Sequence, residues 1–265
     1  MASALPALTT HALFFLFNLV VHRRTGKQNA RNKHFASSTN TNMMMPSHPY
    51  REIRAAFDEE TVRVYQAYNQ SIASQAVVKQ CFTGINGFKL SRATWIKPSF
   101  CWMAYRSGYS LKDVNQERIL AIDLRRPAFE TMLADAVINK VKLLNTGGDV
   151  AVNYREADVV VQWDPERDIA INRLSYRSIQ IGLKYDAAIA FARGDPIHRI
   201  SDVTDVFLRI KTLLDEGQRD HAELLLPEER PYPLPEAIRD HLQMNDEDST
   251  AHLVEALVGT LEKCS

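Results

Sequence analysis

No apolar run in this 265-residue chain is long enough to cross a bilayer. The longest, Ala12–Val21, spans ten residues and is broken by Asn18, against the roughly 20 that a membrane helix needs. No Lys or Arg precedes it, which argues against a secretory signal. Glycine is sparse, and neither GxxxxGK[ST] nor GxGxxG occurs. That excludes a P-loop core and an ordinary dinucleotide-binding turn. HExxH and GxSxG are missing as well, so zincin and serine-hydrolase signatures are out. The three cysteines, Cys81, Cys101 and Cys264, form no CxxC and read as reduced intracellular thiols. The eight histidines are scattered, so neither a His-based triad nor a metal site is expected.

Net charge is also lacking: 32 Lys/Arg meet 32 Asp/Glu, so no global field draws the protein to nucleic acid. The average hides an asymmetry. Residues 1–50 hold five bases and no acid, leaving 27 bases against all 32 acids in 51–265. Residues 1–49 are therefore expected to be a disordered extension outside the folded domain, and Met43, Met44 and Met45 supply a natural start near its end. The competing reading is a mitochondrial presequence, since a basic, acid-free, hydroxyl-rich leader fits one. The expected location is cytoplasmic, or mitochondrial if that leader acts as a signal. With 45% apolar and 24% charged residues, the chain as a whole has the composition of a globular protein.

One further absence organises the chain. The 22 residues Phe88–Tyr109, FKLSRATWIKPSFCWMAYRSGY, contain no acid. They carry six aromatics, among them Trp95 and Trp102, and four cations, Lys89, Arg92, Lys97 and Arg106. Such a mixture suits a concave site that stacks a flat ring and neutralises an anion, as a nucleotide or RNA demands. The plainer alternative is an aromatic core whose long cations reach outward to water. Pro98 and Gly108 bracket an expected helix over 98–107. On it Ser99, Trp102 and Arg106 share one face and Phe100, Met103, Ala104 and Ser107 another. The first is expected to meet a ligand and the second to pack.

Along the rest of the chain, period-2 alternation predicts strands at Thr61–Tyr68, Glu117–Leu124, Asp158–Trp163 and Ser178–Leu183. Asp164–Pro165 is expected to end the third of these. Helices are expected over Ser71–Gln80 behind an Asn69 cap, from Pro127 to about Asn139, and over Asp202–Asp215. Gly147–Gly148 reads as a turn. Strands and helices mix without regular alternation, so the expected class is α+β: a mixed, mainly antiparallel central sheet with flanking helices. It forms a single domain over 50–244, with an acidic tail over 245–265.

Six blocks in order carry a resemblance: RAAFDEETVRVYQAY, RATWIKPSFCWMAYRSG, QERILAIDL, VQWDPER, YRSIQIGL and RPYPLPE. They resemble a family known only as a domain of unknown function, numbered 4291, over roughly Tyr50–Leu242. One departure stands out: Tyr185–Arg199 fills the place where an aromatic-containing strand is expected. The layout also resembles the split-sheet ADP-ribosyltransferase group, which implies a nucleotide-dependent transferase using NAD as substrate and acting on nucleic acid or protein. Cleaving the nicotinamide–ribose bond develops positive charge that a carboxylate stabilises. Glu117 and Glu166 are the catalytic candidates, although each also reads as a surface or turn residue. Tyr65, Tyr68, Trp95 and Trp102 are the stacking candidates. Arg92, Lys97 and Arg106, with Ser99 at the helix start, are the anion-binding ones. Arg177 and Gln180 lie in a strand start, YRSIQ, whose polar side chains alternate, and Arg177 either reaches the site or pairs with Asp164 across the sheet. The alternative to an enzyme is a non-catalytic module that binds nucleotide or RNA. Removing residues 1–42 is expected to leave the thermal midpoint unchanged, and a fall of more than a few degrees would contradict the extension reading.

Overall fold

The computed structural model describes residues 48–139 and 155–245. The extension up to residue 47, the Gly147–Gly148 turn and the tail beyond 245 lie outside the described residues. In chain order the elements are β1 (Arg54–Ala55), β2 (Thr61–Tyr68), α1 (Gln70–Lys79), β3 (Thr94–Ile96), α2 (Phe100–Ser107), β4 (Arg118–Arg125), α3 (Arg126–Ala134) and β5 (Val137–Ile138). After the undescribed segment come β6 (Val159–Arg167), β7 (Arg173–Leu183), α4 (Tyr185–Arg193), β8 (Ile197–Asp202), α5 (Thr204–Asp215), α6 (Arg219–Glu223), β9 (Arg230–Pro231) and α7 (Glu236–His241). The class is α+β, as expected. Strands β2-β4-β8 form one antiparallel sheet; β3-β7-β6-β5 form a second, antiparallel except for the parallel β5–β6 pair. β1 and β9 make a small ribbon.

Alternation sets the layers. One side of β2 and β4 buries Val62, Val64, Leu120, Ile122 and Leu124 in a core shared with Val161, Ile179 and Ile181 of the second sheet. Helices α1, α3 and α4 close this core with Ile72, Phe129 and Phe191. The other side of β2 and β4 buries Tyr65, Ile119 and Ala121 against Phe100 and Met103 of α2 and Phe207 and Ile210 of α5. The first sheet is thus buried on both faces. The second sheet is not: opposite its core face stand Gln162 and Asp164, paired in register with Gln180 and Ser178.

Backbone pairing joins the two sheets at Lys97. β3 pairs with β7 as far as Ile96. The next residue then turns to the first sheet, where Tyr65 N–H donates to the Lys97 carbonyl at 2.8 Å and Lys97 N–H donates to the Tyr65 carbonyl at 3.3 Å.

Several boundaries differ from expectation, most of them for tertiary reasons. The helix from Pro127 ends at Ala134, because Val137 and Ile138 pair with Val160 and Val161. β6 does not stop at Asp164–Pro165 but runs to Arg167, with Pro165 beside a bulge that relieves its missing donor. Helix α2 starts at Phe100 rather than Pro98, since the Ser99 hydroxyl caps it by accepting from Trp102 N–H at 3.0 Å. Gly108 closes it in the left-handed region at φ 56°, as expected. Tyr185–Arg199 forms α4 and the start of β8, so the sheet edge before Ser201 is intact.

The α2 residues expected to pack, Phe100, Met103, Ala104 and Ser107, are its buried ones. Phe100 stacks on Phe207 with ring centroids 3.8 Å apart and meets Tyr65 edge-on at 5.7 Å. Replacing Phe100 by Ala is therefore expected to cost about 3–5 kcal/mol. Trp102→Ala, at a half-buried position, is expected to cost less. Equal losses in urea melts would contradict the assignment of the two faces.

Candidate functional site

A cleft of about 960 Å³ opens where β2, β3, α2 and the 113–116 loop converge. Tyr68 lies at the end of β2, Trp95 and Lys97 come from β3 and its continuation, Trp102 and Arg106 from the outer face of α2, and Gln180 from β7. Arg92 stands at the mouth. Seven of the expected residues therefore share one cavity. The spacing of α2 explains part of this: Trp102 and Arg106 lie four apart and project on the same side. The placing of Trp95 depends on a neighbour without a side chain. A Cβ at Gly182, its cross-strand partner, would sit 2.8 Å from the indole.

Lys97 is the centre of the cleft floor. It is 1% exposed. Its Nζ lies 3.3 Å from the Asp164 carboxylate and 3.5 Å from the centroid of the Trp102 ring. Burial disfavours the ammonium form and brings the amine down to about 7, although Asp164 and Glu166 pull the other way. A shell of neutral hydrogen-bonding groups completes the site. Gln66 donates to the Trp95 carbonyl at 2.9 Å and accepts from Tyr68 Oη at 2.7 Å. The outer cations differ from Lys97. Among the described residues Arg92 and Lys89 have no ion-pair partner, and Arg106 donates to Gln116 Oε1 at 2.8 Å rather than to an acid. Asp113 is the carboxylate on the cleft wall.

The remaining expected residues lie elsewhere. Tyr65 is 2% exposed, locked between Phe100 and Phe207, and stacks no ligand. Glu117 accepts from Gln70 N–H at 2.9 Å and serves the N-terminus of α1. Arg177 donates to Tyr50 Oη and, at 3.0 Å, to the Trp163 carbonyl; it neither reaches the cleft nor pairs with Asp164. Ser99 and Glu166 bond each other at 2.8 Å and line a separate cavity of about 200 Å³ at the start of α2. Glu166 is not a turn residue: it is 5% exposed within β6. The same cavity holds Glu229, whose carboxylate accepts from Phe100 N–H at 2.7 Å and is pushed up to about 8 by burial.

Sequence reasoning missed Asp164, Gln66 and Glu229. Asp164 was legible in principle. Continuing the alternation of VVVQWD through Pro165 places Gln162 and Asp164 on the side opposite Val161. Glu229, in a proline-rich segment, gave no signal.

A family model described as Domain of unknown function (DUF4291) matches residues 52–232. The chain belongs to this family. No curated protein matches it.

Proton linkage makes the two displaced groups separable. Between about pH 7 and 10.5 the unfolded chain holds the Lys97 proton that the folded chain has released, so this group makes stability rise with pH across that window. Glu229 acts oppositely. From 4.5 to about 8 the folded chain holds the extra proton, and stability falls as pH rises. In urea melts Lys97→Met is expected to lose the upper slope and Glu229→Gln the lower one. Curves parallel to wild type would contradict both assignments.

Proposed function

We propose that the cleft binds a nucleotide and that the protein is a nucleotide-dependent transferase. One observation carries this reading: among the described residues Arg92 and Arg106 form no ion pair, with Asp113 the acid nearest Arg106 on the cleft wall, and they line a cavity walled by Tyr68, Trp95 and Trp102. A base stacks on such rings and phosphates satisfy such cations. The amine of Lys97 beneath them adds a reactive group. Glycosidic cleavage of NAD in the manner of ADP-ribosyltransferases is less well supported, because Glu117 and Glu166 both lie off the cleft wall. NAD and nucleoside triphosphates share the phosphoanhydride, so both remain in the ligand class. The acceptor is nucleic acid or protein. A non-catalytic RNA-binding role is the second reading, favoured by the exposed Lys89 and Arg92 at the mouth.

Titration calorimetry with ATP, NAD and a short single-stranded RNA tests these readings. Arg92→Ala and Arg106→Ala are each expected to weaken nucleotide binding by about 1.5–3 kcal/mol, roughly tenfold or more in Kd, with unchanged melting. Binding of RNA alone, steeply salt-dependent, favours the second reading. No binding by wild type, or undiminished binding by both variants, contradicts the site.

A further inference from the structure

We propose that Lys97 is a nucleophile that takes a nucleoside monophosphate from the bound nucleotide, forming a covalent phosphoramidate. The inference rests on the nucleotide reading of the cleft and names the reacting atom within it. Lys97 lines the cleft, its Nζ sits 3.5 Å from the centroid of the half-buried Trp102 ring, and the Asp164 carboxylate stands 3.3 Å away. An amine is nucleophilic only when unprotonated, and a desolvated lysine reaches that state near neutral pH; burial brings this one down to about 7. Arg92 and Arg106 at the mouth are placed to hold the phosphates of a nucleotide whose base lies against the indoles.

Turning the Trp102 indole aside opens the amine to the cleft. The Nζ lone pair then attacks the α-phosphorus. A P–N bond forms and the P–O bond to the leaving phosphate breaks. Pyrophosphate departs from a triphosphate, or nicotinamide mononucleotide from NAD. The proton lost by Nζ passes to Asp164. The groups acting on Nζ are Asp164, Glu166 and Arg167 of β6 and the Trp102 ring of α2. Ser178, cross-strand to Asp164, is 2% exposed and its hydroxyl has no hydrogen-bond partner. It offers Asp164 a replacement once the amine is consumed.

The test is incubation of the whole chain with the magnesium salt of ATP, of GTP and, separately, with NAD. Intact mass, peptide mapping and calorimetric binding are read on the same samples. The expected result is a gain of one nucleoside monophosphate on Lys97, acid-labile as a P–N bond is. One leaving group is released per adduct, and the rate rises severalfold from pH 6 to 8. Lys97→Arg keeps the charge and is expected to form none. Mapping on wild type keeps the result decisive if that variant folds poorly. Nucleotide binding without an adduct, or an adduct mapped elsewhere, overturns this inference and leaves the binding reading standing. Absence of nucleotide binding overturns both.

Discussion

A lysine buried at the seam between two sheets constrains the rest of the structure. Lys97 must stand there because its backbone exchanges two hydrogen bonds with Tyr65, joining the β3 strand of one sheet to the β2 strand of the other. Its ammonium then loses water, which is costly unless a counter-charge or ring replaces it. Asp164 and Trp102 supply these. Asp164 is available because β6 continues past it, tolerating Pro165 at a bulge. Trp102 is available because Ser99 caps α2 one residue after Pro98 and sets the rotation of the helix.

Helix α2 consequently separates two chemically different cavities. Its outer face gives Trp102 and Arg106 to the cleft, and its N-terminus gives Ser99 to a small chamber with Glu166 and Glu229. Both acidic side chains are held in that chamber by hydrogen bonds from the helix start and its cap, and burial keeps the Glu229 proton on through neutral pH. The cleft holds Arg92, Lys97 and Arg106, with Asp113 on its wall. This sorting leaves arginines facing a ring-walled cavity with little acid to quench them.

Much of the fold was legible in the sequence because it is local. The alternation of TVRVYQAY gave β2 without error, the Asn69 cap gave the start of α1 to one residue, and the spacing in α2 gave its buried face. Apart from the start of α2, the misses are long-range. Val137 and Ile138 leave a helical pattern because β6 offers them a partner about 20 residues on. Glu166 looked like a turn residue because proline in a strand is rare, and only the pairing with β7 shows that this one continues. In the site, sequence proximity found the aromatics and cations of one stretch. It missed Asp164, which lies 67 residues from Lys97 in sequence, and it credited Tyr65 with a role that the second core had already taken.

The central claim is that the buried Lys97 amine gives up its proton near neutral pH, in a cleft proposed to bind a nucleotide. Carbon-detected NMR of lysine-labelled protein, with the Lys97 signal assigned by Lys97→Arg, tests it directly. The account predicts a titration midpoint near pH 7 that moves upward when a nucleoside monophosphate, which carries no leaving phosphate, is added, as nearby phosphate favours the charged form. A midpoint in the range of exposed lysines, near 10.4, or one indifferent to nucleotide, would contradict it.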